Sequence, residues 1–217
     1  MSRVMTLLYL AKRTRPDILK EITYLSTKNH SPNECDWRKL DRVFEYLNYT
    51  QDKELLIKVD NLEVVVYVDA SYLTHDNMKG HTGGVIMLGE KGGTNLAISR
   101  KQRILASSST EAELIAIEEI LQYAIFAKEI ISEMVDKEVR VKIYEDNMST
   151  INLCKNGKSN NISTKHIKKK YFVIKEYLDE GSLYLEHLST EDMVADLLTK
   201  PLIGTKFIKF RDMLLGY

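Results

Sequence analysis

The pattern of hydrophobic and polar positions divides the chain into a helical first part and a longer part of mixed strands and helices. In residues 1–60 the apolar residues recur at helical spacing, and Pro16 stands at a predicted helix start. From residue 62 onward, five β-rich runs are predicted as strands, at 62–69, 83–89, 94–99, 139–146 and 182–188. With the helices predicted between them, the order reads βββ-α-β-α-(α)-β-α, which indicates an α/β domain at 61–217 behind a helical unit at 1–60.

Composition excludes several classes of protein. With 217 residues, 44% hydrophobic and 29% charged, the chain can bury a core and is not predominantly disordered. Cys35 and Cys154 are far apart and form no CxxC pair, so neither a disulfide scaffold nor a cysteine-based zinc site is expected. No apolar run approaches the roughly 18 residues of a membrane span. The apolar start lacks a small-residue cleavage site, so we interpret it as a helix and expect a cytoplasmic or nuclear location.

The net charge of zero hides an uneven distribution of charged residues. Residues 61–150 carry 9 basic and 14 acidic side chains, whereas 151–175 holds seven lysines and no acid. This arrangement suits a protein that holds metal ions with carboxylates and a polyanion with lysines. A solvated basic helix face would explain the lysines equally well, and composition leaves both readings open.

Four carboxylates occupy positions that suggest chemistry. Asp69 and Asp146 close the predicted first and fourth strands, and Glu113 lies one turn into the long helix between them. Asp196 lies on a helix predicted at 190–199, after the fifth strand. If the first and fourth strands are neighbours, their aspartates emerge at the sheet edge where α/β proteins place ligands. Any single one of these residues is also a common turn or helix-cap residue, but together they suit Mg²⁺ or Mn²⁺.

Five short strings carry a specific resemblance. They are 67–70 (Tyr-Val-Asp-Ala), 107–114 (Ser-Ser-Ser-Thr-Glu-Ala-Glu-Leu), 144–147 (Tyr-Glu-Asp-Asn), 164–167 (Thr-Lys-His-Ile) and 190–201 (Thr-Glu-Asp-Met-Val-Ala-Asp-Leu-Leu-Thr-Lys-Pro). Together they resemble the ribonuclease H domain of copia-type retrotransposon Pol polyproteins. Upstream, 7–17 and 37–46 resemble the tail of the reverse transcriptase region of the same polyproteins.

The resemblance implies a ribonuclease H-like fold, a mixed five-stranded sheet in βββαβαβα order flanked by helices, with an N-terminal helical extension. It also implies hydrolysis of the RNA strand of RNA–DNA hybrids by two Mg²⁺ ions, for which Mn²⁺ can substitute, leaving a 3′-hydroxyl and a 5′-phosphate. The catalytic and metal-binding acids then fall on Asp69, Glu113, Asp146 and Asp196. Glu113 matches the family's helix glutamate better than Glu111, because Leu-Ile-Ala follows it. A reverse transcriptase domain, upstream or in trans, is an expected partner, and the location is cytoplasmic, including a virus-like particle, or nuclear.

The predicted nucleic-acid contacts are small polar groups beside the acids and members of the lysine block. They are Ser108, Ser109, Thr110, Asn147, Lys165, His166 and Lys169. The resemblance to ribonucleases H implies a histidine shortly before the last catalytic acid that helps product release. His187 precedes Asp196 by nine residues, but its place in a predicted strand argues against that role.

Two other functions remain open. The chain could be a catalytically inactive remnant that binds hybrids or supports a polymerase, through an apolar face on 1–60. It could also be a different nuclease on the same fold, such as an integrase-type enzyme, although that class needs a glutamate on the last helix.

Overall fold

The computed structural model describes residues 2–156 and 165–217, without the side chains of Ser2 and of 165–171. In these ranges the strands are β1 (Val64–Ser71), β2 (His81–Leu88), β3 (Leu96–Lys101), β4 (Val141–Glu145) and β5 (Leu183–His187). The α-helices are α1 (Ser2–Arg13), α2 (Leu19–Thr27), α3 (Glu34–Tyr49), α4 (Ser109–Val135), α5 (Met148–Asn156), α6 (Lys165–Asp179) and α7 (Gly204–Leu215). Short 3-10 helices cover Pro16–Ile18 and Val194–Leu198. None of the helices described is both long and apolar enough for a membrane span.

The five strands of the described residues form one mixed sheet in the order β3-β2-β1-β4-β5. β1 pairs antiparallel with β2 and β2 with β3, whereas β1 pairs parallel with β4 and β4 with β5. The predicted strands are all present, with ends shifted by two residues or fewer. The mixed, helix-flanked sheet that the resemblance implied, and with it the ribonuclease H-like fold class, is confirmed.

Alternate residues of β1 point to opposite sides of the sheet, and each side has its own core. Val66 and Val68 belong to the core under α4, and we call this side the α4 face. Val65 and Tyr67 belong to the core that α1, α2 and α7 cover, and we call this side the α1 face. Because β1 is central and covered on both faces, nearly all of its residues are buried, as its run of valines predicts.

The N-terminal helices are part of the same core as the sheet. Leu7 of α1 and Ile22 of α2 are buried together with Val65 of β1. Trp37 and Phe44 of α3, in contrast, keep 49% and 39% of their surface exposed. The division into units 1–60 and 61–217 stays a prediction.

The stretch predicted as a helix at 190–199 contains only the 3-10 helix Val194–Leu198. Its backbone bonds span three residues, since the Asp196 N–H donates to Met193 O and the Thr199 N–H to Asp196 O. This tight turn packs directly on β2 at Gly83, where an added Cβ would lie 2.6 Å from Thr199 Cγ2. The backbone of this segment is therefore fitted to the sheet surface at Gly83. A sequence pattern within 190–199 cannot predict that contact, because Gly83 is distant in sequence.

Candidate active site

Asp69 and Asp196 meet on the α1 face of the sheet. Asp69 lies two residues after Tyr67 in β1 and so points to the same side. The 3-10 helix Val194–Leu198, packed on that face, carries Asp196. Both side chains are 1% exposed. Two residues far apart in sequence are thus buried side by side.

The ammonium group of Lys200 lies between these two carboxylates. Its Nζ is 3.1 Å from Asp69 Oδ1 and 2.6 Å from Asp196 Oδ1. The Thr199 hydroxyl donates to Asp69 Oδ2, and Lys206 Nζ lies 3.2 Å from Asp196 Oδ2. Donors from the chain itself therefore reach both oxygens of each carboxylate.

Two glutamates meet on the opposite side, the α4 face. Glu113 is one turn into α4, and Glu145 is the last residue of β4, on the same side as Ile143. Glu113 is 5% exposed and Glu145 is 0% exposed. Glu145 Oε1 accepts a hydrogen bond of 3.0 Å from the Asn147 N–H. The Oε2 atoms of both glutamates are buried, and neither has a hydrogen-bond partner within the described residues.

Asp146 follows the carboxyl end of β4 directly, and there it lies close to both the Asp69–Asp196 pair and the Glu113–Glu145 pair. One of its oxygens lies within 4.8 Å of an oxygen of Asp69 and of Asp196. The same limit holds between Asp146, Glu113 and Glu145. Thr190 Oγ1 donates to Asp146 Oδ2 at 2.7 Å. The four predicted acids and Glu145 thus form two overlapping groups that share Asp146.

Burial raises the pKa of three of these acids. It raises the pKa of Asp69 to about 6, and Asp196 adds to the rise while Lys200 opposes it. Burial also raises the pKa of Glu113 well above its usual value, and Glu145 adds to it. The pKa of Glu145 rises for the same reason, although the Asn147 N–H opposes it. Burial alone would lower the pKa of Lys200, but Asp69 and Asp196 raise it.

The donor set fits a hard divalent cation. Carboxylate oxygens are the ligands that Mg²⁺ and Mn²⁺ prefer in proteins. The orphaned Oε2 atoms of Glu113 and Glu145 need a cation or a proton, since a buried unpaired oxygen is costly. The Asp69–Asp196 pair is already neutralised by Lys200, so a cation there would compete with an ammonium group.

The polar residues predicted to contact nucleic acid lie beside the glutamates, where several have a local structural role. Ser108 is the N-cap of α4 and accepts from the Glu111 N–H at 3.2 Å. Asn147 Oδ1 accepts from the N–H groups of Ser149 and Thr150 at the start of α5. Ser109 is exposed and Thr110 is partly exposed. Their contacts with nucleic acid remain predictions.

The remaining predicted nucleic-acid contacts lie at the start of α6. The backbone of α6 includes Lys165, His166 and Lys169, but their side chains lie outside the described residues. His187 is exposed at the end of β5, paired in register with Glu145. Its place in a strand agrees with the prediction from the sequence.

Sequence comparison identifies homologues that match nearly the whole chain. No family model matches it. It is 32% identical over 208 residues to the retrovirus-related Pol polyprotein from transposon RE2 of Arabidopsis thaliana, covering 94% of this chain and 14% of that protein. It is 32% identical over 207 residues to the Pol polyprotein from transposon TNT 1-94 of Nicotiana tabacum, covering 95% and 15%. The chain is homologous to a segment of copia-type retrotransposon Pol polyproteins. It spans only 14% to 15% of the length of these relatives.

Two solved structures align with part of the chain. LC11-RNase H1, isolated from compost, aligns with a TM-score of 0.49 and 20% identity over 64% of this Pol homologue and 93% of that chain. The prototype foamy virus protease-reverse transcriptase (CSH mutant) aligns with a TM-score of 0.44 and 12% identity over 86% and 24%.

Glu145 and Lys200 are among the residues at the site that were not predicted from the sequence. Glu145 follows the alternation of Val141 and Ile143, so a buried side chain could have been anticipated at that position. Lys200 follows Asp196 by four residues, but its contact with Asp69 depends on the tertiary fold. Sequence spacing alone carried no signal for that contact.

Proposed function

We propose that this Pol homologue is an endonuclease that hydrolyses the RNA strand of RNA–DNA hybrids, with two Mg²⁺ ions for which Mn²⁺ can substitute. The observation that carries the proposal is the pair of carboxylate groups that share Asp146. Homology to retrotransposon Pol polyproteins supports the same reaction class.

In this proposal Asp69, Asp146 and Asp196 hold one ion, and Glu113 and Asp146 hold the other. When bound, the ions would activate a water molecule and stabilise the leaving oxygen of the phosphodiester. The water oxygen would bond to phosphorus as the bond from phosphorus to the 3′-oxygen breaks, and one proton of the water would pass through solvent to the 3′-oxygen, which leaves a 5′-phosphate and a 3′-hydroxyl. Lys200 has to give up part of its contact with Asp69 and Asp196 when a cation takes its place.

Substrate choice in this proposal rests on shape and the 2′-hydroxyl rather than on base sequence. Ser109, Thr110 and Asn147 are small polar residues next to Glu113 and Asp146. Side chains at this position could hydrogen-bond to a 2′-hydroxyl beside the bond that is cut. The lysine-rich segment 151–175 would hold the phosphate backbone without sequence preference. A reverse transcriptase domain, upstream or in trans, completes the proposed setting, with 1–60 as the tail of that region and 61–217 as the nuclease domain.

A cleavage assay with a labelled RNA–DNA hybrid and Mg²⁺ tests the proposal. We expect wild type to cut the RNA strand and Asp146→Asn to lose at least about 100-fold in rate, because both carboxylate groups lose a member. Asp192→Asn is the matched control, since Asp192 is exposed and pairs with Lys209 outside the site. Absence of cutting by wild type, or equal cutting by Asp146→Asn, would contradict the proposal.

One observation favours the alternative, an inactive module that binds hybrids or supports a polymerase. Tyr9, Trp37 and Phe44 of the N-terminal helices are 68%, 49% and 39% exposed, and such a module would use exposed aromatic side chains to bind a partner. This alternative predicts binding of the hybrid without turnover and without dependence on divalent ions. The same assay, combined with a binding measurement, separates the two functions.

A further inference from the structure

Glu145 is a fully buried carboxylate with one oxygen left without a partner. The side chain is 0% exposed, and its Oε1 accepts the Asn147 N–H at 3.0 Å. Its Oε2 has no hydrogen-bond partner in the part of the chain that the structure describes. Such an oxygen is expensive to bury unless a cation or a proton lies beside it.

The carboxylate neighbours of Glu145 increase this cost. Glu113, 5% exposed, also has a buried Oε2 without a partner among the described residues. One oxygen each of Glu113, Glu145 and Asp146 lies within 4.8 Å of the others. Three like charges at this spacing repel one another, and a shared cation removes the repulsion.

The two carboxylate groups differ in how they are neutralised. On the α1 face, Lys200 and Lys206 pair with Asp69 and Asp196 at 2.6 to 3.2 Å. On the α4 face, no ion pair to Glu113 or Glu145 is formed by a described basic side chain. The group of carboxylates that lacks a balancing positive charge is therefore the one that contains Glu145.

We propose that Glu145 is a further metal ligand, and that Glu113, Glu145 and Asp146 together bind a hard divalent cation. The inference rests on the metal centre of the proposed function and adds to it a ligand from the end of β4. All three ligands are carboxylate oxygens, which selects Mg²⁺ or Mn²⁺ over metals that prefer nitrogen or sulfur.

Titration of the metal-free full chain with Mn²⁺, followed by calorimetry, tests this ligand directly and needs no nucleic acid. We expect Glu145→Gln to weaken binding at one site by about tenfold or more, the range seen when groups that support a metal are changed. Glu186→Gln is the matched control, because Glu186 is an exposed glutamate on the neighbouring strand β5. It should bind Mn²⁺ as wild type does.

Melting temperatures supply a second readout that does not depend on affinity fits. Glu145→Gln should raise the melting temperature of the metal-free protein, because it removes a buried charge, and should reduce the increase produced by Mn²⁺. A raised metal-free melting temperature with unchanged Mn²⁺ affinity would overturn the inference and assign a shared proton to Glu113 and Glu145. If Glu145→Gln fails to fold, Glu145→Asp, which keeps the charge on a shorter side chain, should show the same loss of affinity.

The test of Glu145 as a ligand and the test of the proposed nuclease can fail independently. Mn²⁺ binding that depends on Glu145 in a wild type that does not cut the hybrid would support this ligand and contradict the nuclease. Cutting by wild type, with unchanged Mn²⁺ affinity in Glu145→Gln, would support the nuclease and overturn the ligand.

Discussion

Replacement of Lys200 by methionine removes the cation that the chain itself places between two buried carboxylates. Lys200 Nζ contacts Asp69 Oδ1 at 3.1 Å and Asp196 Oδ1 at 2.6 Å, and both aspartates are 1% exposed. In the variant, Thr199 and Lys206 remain as donors to these carboxylates. The metal-free protein should therefore lose stability.

The size of the loss follows from burial. Breaking a fully buried ion pair costs about 3–5 kcal/mol in free energy of unfolding. The Lys200 side chain is 37% exposed, so water screens part of the interaction. We expect Lys200→Met to lose about 2 kcal/mol in the absence of metal.

Divalent ions should reverse much of that loss. A ligand at 100 times its Kd stabilises the folded state by about 2.7 kcal/mol, and each tenfold gain in affinity adds about 1.4 kcal/mol. Since the variant no longer holds an ammonium group in the place of the cation, its stabilisation by Mn²⁺ should exceed that of wild type.

Urea unfolding followed by circular dichroism, with and without Mn²⁺, measures both quantities. Lys209→Met is the control, because Lys209 is 47% exposed and its pair with Asp192 lies at the surface. It should change stability by no more than about 0.5 kcal/mol. An equal loss for Lys200→Met with and without Mn²⁺ would refute the reasoning, since the ammonium and the metal would then not compete.

Two further predictions concern residues of β2. Burial lowers the pKa of His81 to about 3, and the charges of His75 and Lys20 add to the effect, whereas an unfolded histidine has a pKa of about 6.5. Below pH 6.5 the unfolded state therefore binds more protons, and stability is lost as pH falls. Between pH 7 and pH 5, wild type should lose roughly 2 kcal/mol more than His81→Gln in urea unfolding, and parallel curves would contradict this. Gly83→Ala places a Cβ 2.6 Å from Thr199 Cγ2, so it should displace the turn that carries Asp196. We expect a loss of about 1–3 kcal/mol and weaker cleavage of the hybrid, and wild-type values for both would argue against the close contact.

The regular elements were predicted from the sequence because their patterns are local. The alternation and the valine runs identify β1 and β4, and Ser108 identifies the start of α4 through its capping chemistry. The segment at 190–199 was predicted as a helix but forms only a 3-10 turn at Val194–Leu198. Its conformation depends on contact with Gly83, which is distant in sequence, so no local pattern reports it.

The candidate site also contains residues that the sequence predicted and residues that it did not. The residue strings identified Asp69, Glu113, Asp146 and Asp196, and the structure brings all four together. Glu145 was not anticipated, because the resemblance places the metal-binding acid of that string on Asp146.

By itself, the sequence of this Pol homologue determined the order of its strands and helices, the resemblance, and which acids stand at the ends of its strands. Only the tertiary structure decided that Asp69 and Asp196 meet on one face, that Glu113 and Glu145 meet on the other, and that Asp146 joins them. It also decided that Lys200 neutralises one pair, whereas no basic side chain among the described residues forms an ion pair with the other. The physical reason is that periodicity is set by neighbours in sequence, whereas charge balance is set by groups that only the packed sheet and its flanking turns bring within a few ångströms.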